Sequence, residues 1–232
     1  MCYVDTILYF PTMKGEIIMF AQIATIDGPP ASGKTTMAQL LSREFDLVHL
    51  DSGAIFRAFT LYCMEENVEM TSPETIISVL PNFNISFVQE KVFIDGKDVT
   101  STIRDPMVTS STRYVSFIPE IRNFVSDLLL SYGKRGKVVC DGRNVGSEVF
   151  PDAKVKFYLR ASLIERTLRR YNQILRSNPS AHFKEVYIAL KEREEYEREK
   201  RILLMPKNAI IIDNTNLSIE DTLEVMKTYM TD

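Results

Sequence analysis

The octapeptide Gly28-Pro-Pro-Ala-Ser-Gly33-Lys34-Thr35 limits what this chain can become more than any other feature. A G-x-x-x-x-G-K-[ST] stretch makes a phosphate cradle when it links the end of a strand to the start of a helix. Both flanks read that way. Residues 20–27 (FAQIATID) are a short apolar run ending in Asp-Gly, as a buried parallel strand does, and residues 37–45 (MAQLLSREF) carry apolar side chains at helical spacing. Glycines let the backbone close around phosphate oxygens, successive N–H groups point inward, and the helix start adds partial positive charge. Gly28, Pro29, Pro30, Ala31, Ser32, Gly33, Lys34, Thr35 and Thr36 are therefore read as a nucleotide cradle. Lys34 supplies a full charge to the β- and γ-phosphates, Thr35 a hydroxyl for Mg²⁺, and Thr36 reaches the α-phosphate. A chance glycine-rich turn rarely falls in this setting. The motif implies ATP or GTP and by itself says nothing of the reaction.

The rest of the chain alternates short apolar strands with amphipathic helices. LVHLD (47–51), KVVCD (137–141), VKFYL (155–159) and AIIID (209–213) read as buried strands. Helices are predicted at 54–66, twice across 106–132 with a break near Pro119, at 163–175 until the NPS of 178–180, at 182–201, and from Ser218 onward. That order predicts a parallel sheet covered on both faces. Residues 84–99 differ, with two alternating stretches around a polar turn, a small antiparallel unit inserted in the α/β order.

With 232 residues, the length suits one domain with embellishments. Acidic and basic residues leave a formal charge of −3, without the basic excess of a polynucleotide binder. Cys2, Cys63 and Cys140 lack a paired spacing, and His49 and His182 are too few for a histidine metal centre, so a reducing cytoplasm is expected. No apolar run is long enough for a membrane span. Residues 1–19 lack the basic start and cleavage site of a signal peptide and are read as an extension, with a single domain over 20–232.

A phosphorylated acceptor is already nucleophilic, so joining it to a triphosphate needs charge neutralisation rather than a base. Arginine forks suit that task, and Arg57, Arg122, Arg143, Arg166, Arg169 and Arg170 stand at strand ends or along one helix. Asp141 ends a strand beside the cradle, where a carboxylate either orients Mg²⁺ or merely caps a turn.

Six stretches, in order, resemble bacterial-type cytidylate kinases: TIDGPPASGKTT (25–36), LDSGAIFR (50–57), IDGKDVTSTIR (94–104), PEIR (119–122), CDGRNVGSEVFPDAKVKFYLRAS (140–162) and IIDNTNLSIED (211–221). The resemblance runs from about Gln22 to the C-terminus. It implies a P-loop nucleoside monophosphate kinase fold: a central parallel sheet flanked by helices, a small antiparallel insert in the acceptor-binding region (about 67–105), and a helical lid (about 166–200). It implies ATP and Mg²⁺, a small nucleotide partner, no polynucleotide or membrane, and a monomer. The implied catalytic set is Lys34, Arg57, Arg143, Arg166 and Arg170, with Thr35 and Asp141 at the metal. Ser52, Arg57 and Arg143 are expected to hold the acceptor, Arg122 its base, and Arg193, Glu197 and Lys200 or Arg201 to complete the clamp. A kinase of another small metabolite on the same scaffold, or a non-catalytic nucleotide sensor, is the alternative.

Four acceptor positions depart from the family pattern. Arg113 stands where a cytosine-reading serine is expected, Asn144 where an aspartate accepts from the cytosine amino group, Glu197 for an aspartate at the sugar, and Lys200 for an arginine. The first two replace acceptors by groups that can donate, which points toward a uridylate-like or modified pyrimidine rather than strict CMP preference. In the other direction, Asn144 still accepts through its amide oxygen while Arg113 faces solvent.

Overall fold

The computed structural model describes residues 23–88, 90–134, 136–176 and 178–230. The expectations for residues 1–22, including the extension and the first residues of the leading strand, lie outside them. In chain order β1 (Ile23–Asp27), α1 (Lys34–Glu44), β2 (Val48–Asp51) and α2 (Ser52–Glu65) open the fold. Then come α3 (Pro73–Ser78), β3 (Ile85–Val88), β4 (Lys91–Ile94), β5 (Lys97–Asp98) and α4 (Pro106–Ser111). The second half holds α5 (Pro119–Gly133), β6 (Val138–Gly142), β7 (Val155–Arg160), α6 (Leu163–Leu175), α7 (Phe183–Glu199), β8 (Ile210–Asp213) and α8 (Ile219–Lys227).

The main sheet is parallel in the order β2-β6-β1-β7-β8. Its central strands can be apolar on both faces because helices cover both: Ala24, Ile26, Val138, Val139 and Cys140 are all buried. One face packs Met37, Ala38 and Leu41 of α1 with Met226 of α8. The other packs Ile55, Val125, Leu129, Val145 and Phe150. A fully buried Leu41 or Ile55 stabilises the fold by roughly 2 kcal/mol through area removed from water. The antiparallel unit β3-β4-β5 sits over a second core of α2 residues, with Phe59 against Phe83 at a ring separation of 5.1 Å.

Helix α3 is an addition to the sequence reading. Its signal is Ser72, whose side chain caps the Thr75 N–H, followed by Pro73 in the first turn. Another unforeseen element is a π-helical turn at Val145–Val149, directly after β6. Among the described residues no helix is long and apolar enough to cross a membrane.

Candidate active site

The cradle joins β1 to α1 at the carboxyl edge of the sheet. Gly28 has φ 149°, and a Cβ there would lie 2.0 Å from the Leu159 carbonyl oxygen, so only glycine lets β7 pass this close. Gly33, at φ 94°, turns the chain into α1. The loop is held from outside: Asn214 Nδ2 donates to Ser32 O at 3.1 Å and Arg166 Nη1 to Pro30 O at 3.2 Å. Lys34 is buried, with Nζ donating to Pro29 O at 2.7 Å and to Ser32 Oγ at 3.4 Å. Burial, followed by the charge of Arg143, pulls the lysine well below its ordinary pKa, against the pull of Asp141, Glu197 and Asp27. A tetrahedral anion in this loop would relieve that stress. Thr36 is exposed on the first turn of α1.

Thr35 and Asp141 meet in the fold. The threonine Oγ1 donates to Asp141 Oδ2 at 2.7 Å, so two hard oxygens from different elements converge beside the loop. The other Asp141 oxygen lies 2.7 Å from His49 Nε2, on β2. Burial opposes a charged imidazole, but the hydrogen bond and charge of Asp141, with Asp51 behind, raise His49 above its ordinary value. Sequence reasoning saw no role for His49; its two-residue spacing to Asp51, which puts both on one face of a strand, was the available signal.

Four guanidinium groups, of Arg57, Arg143, Arg170 and Arg193, lie within electrostatic reach of one another. Arg57 on α2 donates from Nη2 to Asp51 Oδ2 at 2.9 Å, while its buried Nε has no partner among the described residues. Asp51 also caps α2 by accepting from the Ala54 N–H. Burial would raise Asp51, but Arg57, then His49, outweigh it and hold the carboxylate below its usual range. Arg143 follows β6, and Arg170 lies on α6. Burial, then the charges of Arg193 and Arg57, lowers Arg170. Arg193 on α7 is open along one edge, its side chain 41% exposed, yet it is packed closely enough to be lowered by burial and by Arg143 and Arg57, against Glu197. Mutual repulsion across α2, β6, α6 and α7 is an unfilled demand for negative charge.

Glu197 meets part of that demand. Its two oxygens accept separately from Arg143 Nε at 2.7 Å and Arg193 Nε at 2.8 Å. Despite burial, the two arginines hold it down to about 2. Glu197 thus bridges two arginines from different elements, a span that its side chain reaches.

Arg166, on α6, is bonded differently from the arginines around Glu197. It is buried, and all three of its nitrogens are bonded within the protein: Nε to Ala161 O at 3.0 Å, Nη1 to Pro30 O, and Nη2 to Glu194 Oε2 at 2.6 Å. It is a strut between cradle and α7, while Arg170 Nη1 donates to Gln173 Oε1 at 2.8 Å. Ser52 Oγ donates to Asp141 O at 2.8 Å, tying the start of α2 to β6.

Beyond Arg143, Asn144 opens the π-helical turn, whose Val145 and Gly146 N–H groups both donate at 2.8 Å to the buried Asp27 carboxylate. Burial outweighs those bonds and raises Asp27 to about 6. A cavity of about 300 Å³ lies alongside, lined by Phe117, Arg122, Glu148, Lys200, Arg201 and Ile202 among others. The structure brings Arg122, Asn144 and Glu148 together there, with Lys200 and Arg201 both on its wall. Arg113 takes the second of the two orientations considered for it. Its neighbour Thr112 takes the inward position, donating to Val108 O at 2.9 Å, and Arg113 is turned to the exposed side, bonded to the Tyr114 hydroxyl at 3.0 Å.

A family model described as cytidylate kinase matches residues 24–232, essentially all of the described chain. This chain belongs to the cytidylate kinase family. Relatives support that membership over most of the chain. A cytidylate kinase of Caldanaerobacter subterraneus subsp. tengcongensis is 37% identical over 201 residues, covering 86% of this chain and 90% of its own. One from Thermosipho melanesiensis is 38% identical over 202 residues, covering 86% and 92%. A solved shikimate kinase from Bacteroides thetaiotaomicron covers 90% of this chain and 98% of its own at 12% identity, with a TM-score of 0.48. As a family member the chain is a nucleoside monophosphate kinase. Asp27, His49, Asp51, Glu148, Glu194 and Asn214 are the site-supporting residues that sequence reasoning left without a role.

Proposed function

We propose that this enzyme moves the γ-phosphoryl group of ATP onto the phosphate of CMP or dCMP, releasing ADP and the nucleoside diphosphate. The reading rests on Arg143 and Arg193 drawn together by Glu197, with Arg57 and Arg170 within their electrostatic reach and Lys34 within that of Arg143. A sugar or alcohol acceptor brings no charge to such a cluster, whereas a monophosphate brings nearly two.

The loop from Gly28 to Thr36 wraps the triphosphate with its backbone N–H groups, and Lys34 swings from Pro29 O to the β- and γ-oxygens. Thr35 and Asp141 would hold Mg²⁺, which when bound would neutralise phosphate charge; hard oxygen donors from two elements suit that ion. Arg57 and Arg143 grip the acceptor phosphate and bring an oxygen in line with the γ-phosphorus, while Arg170 and Arg193 offset charge that spreads over the transferring group. Arg122 meets the base. Helices α6 and α7, spanning the expected lid, close over the pair and exclude water that would otherwise take the phosphoryl group.

Coupled ADP-release rates with ATP and a panel of nucleoside monophosphates, sugars and small alcohols test the proposal. The expected result is highest kcat/KM with CMP and dCMP and no turnover above background with uncharged acceptors. Faster turnover of an uncharged alcohol than of every monophosphate would sink it.

A further inference from the structure

The acceptor-side cavity contains a carboxylate that the sequence comparison of Asn144 alone did not anticipate. Glu148 sits on the π-helical turn four residues after Asn144 and lines the cavity with Arg122. Arg122 Nη2 donates to Glu148 Oε2 at 2.5 Å, and the Asn144 side-chain amide donates to the same oxygen. A carboxylate has only acceptors, so Asn144 has to present its NH₂ there, which commits one of its two N–H donors to Glu148. Both donors use Oε2, and Oε1 has no partner among the described residues.

The turn beneath is rigid in a way that matters for recognition. The Glu148 N–H bonds to Asn144 O at 2.9 Å, closing a backbone ring under the side-chain pair. Asp27 anchors the preceding N–H groups of Val145 and Gly146, and Val145 and Val149 are buried on either side of Glu148. The carboxylate is thus oriented by two donors, on an anchored turn, at the wall of a cavity.

Resting on the CMP reading above, we propose that Glu148 is the specificity-determining residue for the acceptor base. Its free oxygen accepts from the exocyclic amino group of cytosine, while Arg122 donates to the adjoining ring acceptor. Uracil presents a keto oxygen where cytosine presents the amino group, and that oxygen would face a carboxylate that cannot donate. Asn144 acts through Glu148 as a positioning residue. This reverses the direction inferred from Asn144 and Arg113 by sequence. The carboxylate has moved along the turn rather than vanished, and Arg113 is bonded to Tyr114 on the exposed side.

The test compares kcat/KM for CMP and UMP, with saturating ATP, in the full-length enzyme and in Glu148→Gln and Glu148→Ala. The wild type is expected to favour CMP, and each variant to lower the CMP-to-UMP ratio by roughly 10-fold or more, since losing the carboxylate leaves the bound cytosine amino group without its acceptor. Gln should gain most toward UMP because its amide can donate to the keto oxygen. Because both rates come from one preparation, partial misfolding cancels from the ratio, and KM for ATP is expected to hold. A wild type indifferent to base or favouring UMP overturns the inference, as does a ratio unchanged in the variants. A wild type inactive on every monophosphate instead overturns the functional reading itself.

Discussion

Glu197 lies between Arg143 and Arg193, and that position ties acid stability to the acceptor side of the site. The carboxyl titrates near 4.5 when free and at about 2 in the fold. A depressed carboxyl contributes stability above its unfolded value and loses it as pH falls toward the folded one. The contribution is therefore present above pH ~4.5 and fades below it, up to about 3 kcal/mol in full. Glu197→Gln is expected to destabilise by about 2–4 kcal/mol at pH 7, since two closely placed arginines lose their bridge. Urea midpoints between pH 7 and pH 3 should show the wild type and variant converging in acid; a gap independent of pH would contradict this. At the same scale, Lys34→Ala should lower kcat by about 100-fold or more, as removal of one preorganised charge-stabilising donor does, with little change in melting temperature. Equal kcat in the variant would mean that Lys34 does not meet the transferring group. The charged residues of the site were legible from sequence because phosphate chemistry dictates their types. Their partners were not: Arg143 meets Glu197 across 54 residues of chain, a separation that no local pattern encodes.

Strands and long helices announce themselves by apolar period, which is why β2, β6, β7, β8, α2, α6 and α7 fall within a residue or two of their sequence-based limits. The π-helical turn at Val145–Val149 does not, since five residues hold no period and its shape comes from Asp27, more than a hundred residues earlier. Its tolerance is correspondingly small. A Cβ on Gly146 would lie 2.5 Å from Thr25 Oγ1, 2.9 Å from Pro206 Cγ and 3.0 Å from Asp27 Oδ2. Gly146→Ala is therefore expected to cost roughly 1–3 kcal/mol through overpacking and a displaced turn. The same turn carries Arg143, Asn144 and Glu148, so KM for the monophosphate should rise several-fold while KM for ATP changes less. Denaturant unfolding and the two KM values check this. A variant in which ATP suffers as much as the monophosphate would show that the turn serves the whole site rather than its acceptor half.

The strand order β2-β6-β1-β7-β8 sets the cradle, Asp141 and Arg143 on one edge of the sheet, an outcome of topology that the element list alone left open. Helix α7 reaches that edge from the other side, and Arg166 connects the two. Its Nη1 bonds Pro30 O in the cradle and its Nη2 bonds Glu194, which shares a face of α7 with Glu197. A triphosphate that reshapes the cradle carbonyls should therefore shift α7, and with it the Glu197 bridge to Arg143, so that each nucleotide tightens the other's binding. Linkage requires the two effects to be equal. Calorimetric titration of CMP with and without a non-hydrolysable ATP analogue measures the coupling, expected at roughly 5-fold or more in the wild type. Glu194→Gln weakens one end of the strut without touching either proposed nucleotide contact, and coupling should fall to about 2-fold or less while CMP still binds. Coupling that survives intact would place the communication elsewhere, in the shared sheet edge through Asp141 and Ser52 rather than in the Arg166 strut.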